Sequence, residues 1–199
     1  MTSQLISQWF GPAFEQLHPL LQTLHREGGV LAGMAELQFG TGAAGWLGRH
    51  IARNMGLPHD AGRIPLEVTI SHTRDELVWA RRFGTHAPMV SRFAPVGQWP
   101  HGHFRERTGA LQFELTVDTR DGAWTWRPLR ARLRGIPVPL RLLPRSHAYK
   151  RIENGAYRFD VAVVAPGLGL LVRYGGLLDA RPALQSGGSG DPHFARDDR

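Results

Sequence analysis

From about residue 64 onward the chain consists of short runs that alternate apolar and polar side chains, each ended by a turn signal. This pattern restricts it to an antiparallel sheet built from successive hairpins. Residues 65–71 and 76–84 flank a polar turn at Thr73, Arg74 and Asp75, and residues 110–118 and 124–133 flank Arg120-Asp121-Gly122. Residues 149–152 and 157–164 flank Glu153-Asn154-Gly155, the strongest turn signal in the sequence, and Pro166-Gly167 introduces a last strand over 168–178. With eight to ten such strands the sheet must bend strongly or close on itself. The stretch 135–144, with Pro137, Pro139 and Pro144, is too rich in proline for a central strand and reads as a crossing loop or an edge.

Ahead of the sheet, Phe10, Phe14, Leu17, Leu21 and Leu24 recur at helical spacing between Gly11-Pro12 and Gly28-Gly29, with Pro19 splitting the run into two short helices. A strand is expected over 34–39. A helix then presents Trp46, Leu47, Ile51, Ala52 and Met55 on one face and Arg49 and Arg53 on the other, until Gly56 and Pro58 stop it. The expected fold class is α+β: short N-terminal helices packed on a strongly curved, mainly antiparallel, barrel-like β-meander. The 199 residues fit one domain over 1–182, followed by a flexible tail over 183–199 that opens with Ser186-Gly187-Gly188-Ser189-Gly190.

Composition excludes more than it selects. Hydrophobic content of 42% and charged content of 21% exclude a wholly disordered chain, and the absence of cysteine excludes a disulfide scaffold, a cysteine-ligated zinc site and a cysteine nucleophile. No stretch approaches a membrane span and no basic residue precedes Arg26, so a cytoplasmic location is expected. All but one of the 24 basic residues are arginine, Lys150 being the exception. The densest basic stretch holds Arg127, Arg130, Arg132, Arg134, Arg141 and Arg145, and its middle three alternate with Ala131 and Leu133 along one strand face. That face is either a solvated exterior or a patch for phosphate, nucleic acid or anionic lipid. Nucleic acid is disfavoured, because its grooves normally mix Lys with Arg and add exposed aromatics.

Three motifs invite chemistry. Gly40-Thr41-Gly42-Ala43-Ala44-Gly45 spells G-x-G-x-x-G between a strand and a helix, but the repeated strand–helix units of a dinucleotide fold do not follow. The glycines read as a tight turn and no cofactor is expected. His101-Gly102-His103 with Glu106 resembles half of a metal cluster, yet Glu106 has the opposite strand parity to the histidines, so no metal is expected either. Trp79, Arg81 and Phe83 share one strand face. If Arg81 points inward, desolvation demands an acid, for which Glu106 and Glu114 are the candidates.

These features combine with Phe10-Gly11-Pro12-Ala13-Phe14, Gly56-Leu57-Pro58, Glu106-Arg107-x-Gly109, Gly135-Ile136-Pro137-x-Pro139 and Pro166-x-x-Gly169 leading to Tyr174-Gly175-Gly176-x-Leu178. Together they resemble the bacterial domain-of-unknown-function 4166 family across most of the chain. The resemblance implies no activity and no catalytic residue. It implies a domain that occurs alone or behind an NADP-binding, dehydrogenase-like domain, and so an oxidoreductase as a partner.

The functional expectation is a small hydrophobic metabolite or lipid-like ligand held in a curved-sheet cavity. Trp79, Phe83, Phe113, Trp124, Trp126 and Tyr174 form its lining, and Arg81 and Glu106 its polar anchors. The alternatives are an enzyme using Arg81 and Glu106 for acid/base chemistry, or a binding module using the Arg127–Arg145 face.

Overall fold

A computed structural model describes residues 4–108 and 111–183. The tail expected over 183–199 lies, from residue 184 on, outside the described residues. In chain order the elements are α1 (Leu5–Phe10), a 3₁₀ turn, α2 (Pro19–Glu27), β1 (Gly29–Phe39), α3 (Gly42–Met55), β2 (Gly62–His72), β3 (Leu77–Phe83), β4 (Met89–Val96) and β5 (His103–Thr108). There follow β6 (Leu111–Asp118), β7 (Trp124–Leu133), β8 (Ile136–Val138), β9 (Arg145–Glu153), β10 (Ala156–Ala165) and β11 (Gly169–Pro182).

The strands join in the order β6-β5-β4-β3-β2-β1-β11-β10-β9-β7, and β6 also pairs with β7. Ten strands therefore close an antiparallel barrel, and β8 hangs on β7 as the expected edge. The Asn154-Gly155 turn takes positive φ at both residues (49° and 79°), which matches its twist to the strands and pairs Glu153 with Ala156. Closure comes from β1 and β11, which run opposite one another from Gly29↔Pro182 to Phe39↔Val172. The β6–β7 pair carries a bulge between Glu114 and Leu115. On its other edge the two ends of β7 take different partners: Trp124–Trp126 pair with β9, while Ala131–Leu133 pair with β8.

The N-terminal helices plug one end of the barrel. Ile6, Phe10, Leu17, Leu21 and Leu24 are each at most 2% exposed and join one core with inward residues of the strands. Backbone bonds fasten the plug: the Trp99 N–H donates to the Trp9 carbonyl at 2.9 Å and the His18 N–H to the Gly122 carbonyl at 3.0 Å. At the opposite end α3 lies against the start of β11. A Cβ at Gly48 would run into the Leu171 carbonyl, and one at Gly40 into the Leu170 carbonyl, so the G-x-G-x-x-G stretch and its continuation permit close helix–strand approach. Gly48→Ala is expected to lower the unfolding free energy by about 1–3 kcal/mol through forced separation of α3 from β11, readable by chemical denaturation.

Candidate functional site

Strand alternation decides what enters the barrel. Leu77, Phe93, Glu106, Phe113, Ala131 and Val138 stand opposite one another across β3 to β8, all on the inner face. Two residues away along β3 and β4, Trp79 faces Ser91, and next to them Arg81 faces Met89. Arg81 Nη1 donates to Ser91 Oγ at 3.0 Å, and its guanidinium lies 5.4 Å from the Trp79 ring centre. Arg81 thus points inward as one of the two expected orientations required. Glu114 has the other parity. It lies on the outer face and binds Arg130 at 3.2 Å, so it is not an acid for Arg81.

At mid-barrel the aromatic rings form a continuous cluster. Trp124, wholly buried, meets Phe10 edge-on at 5.4 Å, Trp126 at 5.3 Å, and the His25 ring, stacked at 4.0 Å with 10° between planes. Phe93 stacks on Trp126 at 4.9 Å, and Phe83 meets Tyr174 edge-on at 5.6 Å. Of the expected lining, Trp79, Phe83, Trp124 and Tyr174 are core residues, whereas Arg81, Glu106, Phe113 and Trp126 remain half-buried. The expected residues fall into two groups: Trp79, Trp124 and Trp126 converge on one point, and Phe83 with Tyr174 packs apart from them.

That point is Lys150. Its Nζ sits 3.0 Å from the Trp79 ring centre and within 5.4 Å of those of Trp124 and Trp126, on a side chain 6% exposed and without a hydrogen bond. Three indole faces favour an ammonium there by about 2 kcal/mol or more, yet desolvating it costs several kcal/mol. Burial, reinforced by the Arg81 guanidinium and opposed by the Glu106 carboxylate, pushes the amine well below the usual lysine range. Beside it His25 is held neutral, its pKa pushed down to about 3 by burial and the Lys150 charge, with Nδ1 on the Leu21 carbonyl at 2.7 Å and Nε2 unsatisfied. Burial also pushes up the phenols of Tyr157 and Tyr174, Arg81 opposing it in both. Lys150, His25 and Tyr157 were missed by the sequence reading. The signals were there: the one lysine among arginines sits at an inward strand position, and His25 continues the apolar helix face of Leu17 and Leu21.

Elsewhere, Arg127, Arg130, Arg132, Arg134, Arg141 and Arg145 are all exposed, so the basic stretch faces outward. Glu106 points inward and His103 outward, as parity required, and among the described residues no three His, Asp or Glu side chains are grouped to hold a metal. No described helix is long and apolar enough to cross a membrane.

Fold and interior together define a closed antiparallel barrel, plugged by helices at one end and carrying Lys150, Arg81 and His25 among aromatic rings. The chain belongs to the family of domain of unknown function 4166, whose model matches residues 17–178, from the turn ahead of α2 through most of β11. No curated protein matches it.

Proposed function

We propose that this domain binds a small, largely apolar molecule with an anionic group, seated in the barrel end opposite the helical plug. One observation carries the reading: the interior holds two basic groups, the Lys150 amine and the Arg81 guanidinium, of which the amine has no hydrogen bond. A buried donor left unpaired costs about 1–3 kcal/mol, more when charged, and an incoming anion is the group that removes this cost. Half-exposed Arg81, Met89, Glu106, Phe113 and Trp126 lie on the route from that end, where β9 has already left β7. The apolar side of the site offers the ligand's chain what the aromatic core offers its own members. In this reading the domain works in the cytoplasm and hands its ligand to, or takes it from, an oxidoreductase, the partner that the family's domain fusions imply.

Titration with a dansylated fatty acid tests this. Binding is expected to appear as energy transfer from the indoles, and native mass spectrometry of the freshly purified protein as an apolar adduct. Arg81→Met is expected to weaken binding about tenfold, equivalent to about 1.4 kcal/mol, with the unfolding midpoint little changed. An absent adduct together with no energy transfer at micromolar probe would sink the reading.

A further inference from the structure

Outside the barrel, on the face opposite this lumen, the strand registers build a second charged arrangement. Arg105 stands opposite Glu114, and Glu114 opposite Arg130. Two residues along, Arg107 stands opposite Gln112, and Gln112 opposite Arg132. Alternation places all six on the outer face, as two parallel rows across β5, β6 and β7. With neighbouring strands about 4.8 Å apart and alternate residues about 7 Å apart along a strand, the four arginines mark the corners of a rectangle of about 7 by 10 Å. One carboxylate, Glu114, lies within it and is engaged by Arg130 at 3.2 Å. The sheet bends this grid into a groove of about 760 Å³, to which β4 adds Arg92, itself paired with Glu76 at 3.1 Å. Five guanidiniums therefore meet two outward carboxylates, Glu106 at the floor being directed into the barrel.

We infer that this groove is a binding site for a compact polyphosphate group, as carried by a nucleoside di- or triphosphate. Guanidinium forks bind phosphate oxygens bidentately, and corners 7–10 Å apart match the spread of charge along two or three linked phosphates rather than one. The volume suits a small molecule and not a duplex. A continuous nucleic-acid backbone would meet Glu114 between Arg105 and Arg130, and the outward grid places no aromatic ring for bases to stack on. An unpaired anion in the groove also relieves the mutual repulsion of the arginines, so binding raises stability by mass action.

The test is calorimetric titration of the full chain with inorganic tripolyphosphate, pyrophosphate and orthophosphate at matched ionic strength. Tripolyphosphate is expected to bind at least tenfold tighter than orthophosphate, with pyrophosphate between them. The double variant Arg107→Gln/Arg132→Gln is expected to lose that preference, while Arg49→Gln/Arg53→Gln on the exposed face of α3 leaves it intact. Glu114→Gln, which removes the only carboxylate of the grid, is expected to tighten tripolyphosphate several-fold, and keeps the inference testable should the double variant not fold. Equal binding of all three anions, a double variant that keeps the preference, or tighter binding to single-stranded nucleic acid or to phosphatidylserine vesicles than to tripolyphosphate overturns it.

Discussion

Replacing Trp124 with alanine is expected to lower the unfolding free energy by about 3–5 kcal/mol, the range for emptying a fully buried aromatic position. The indole belongs to the strand wall, yet it touches the helical plug through Phe10 and His25 and the opposite wall through Trp79. Its removal therefore opens a void that no single element can close by shifting. Trp124→Phe retains part of the stack and is expected to recover more than half of the loss. Urea denaturation measures both, and a loss below about 1 kcal/mol for the alanine variant would show that the core collapses around the site.

The second large effect is an acid limb in stability that belongs to His25. In the unfolded chain this imidazole takes up a proton near pH 6.5, whereas in the barrel burial and the neighbouring Lys150 charge hold that step down to about pH 3. Between the two values the unfolded state binds the extra proton, so stability is fully present above pH 6.5 and falls as the pH drops. Each pH unit costs about 1.4 kcal/mol, or about 5 kcal/mol across the interval. His72, whose Nε2 meets the His25 carbonyl at 2.8 Å and whose pKa is lowered by burial, adds to the same slope. His25→Leu keeps the ring's apolar contacts and removes the proton. Its denaturation midpoint is expected to change much less between pH 6.5 and 4 than that of the parent, and an unchanged slope would exclude His25 as the source.

Much of this architecture was legible because turn chemistry and alternation speak locally. Asn154-Gly155, Asp121-Gly122 and the Pro19 break each marked a boundary that the structure keeps. Strands β4 and β5 were not foreseen. Pro95 lies in the first, and Arg105 and Arg107 face water in the second, so the inner residues Phe93, Phe104 and Glu106 yield too weak an apolar rhythm. Closure of the barrel was open in the sequence reading for a different reason. The pairings β1–β11 and β7–β9 join residues distant along the chain, and no local pattern encodes which strands meet.

For the site, alternation correctly sent Trp79, Arg81 and Phe83 inward, but it cannot distinguish an aromatic that lines a space from one that fills it. Trp124 fills; Trp126, two residues nearer the divergence of β7 and β9, keeps part of its surface free. Helix residues supplied the rest. His25 reaches the strand-borne Lys150 only because the plug enters the barrel, a tertiary event with no signature in either segment alone.

The pairing of β1 with β11 also sets the order in which the molecule comes into being. Every other neighbouring pair except β7–β9 joins strands adjacent in the chain or separated by one helix, and can zip as the chain leaves the ribosome. The ring cannot shut until β11 exists, so β1 and β10 present long bare edges during synthesis, and such edges recruit strands from other chains. The hazard therefore lasts until β11 is made and paired, and β11 is the element whose delay or loss leaves both edges bare.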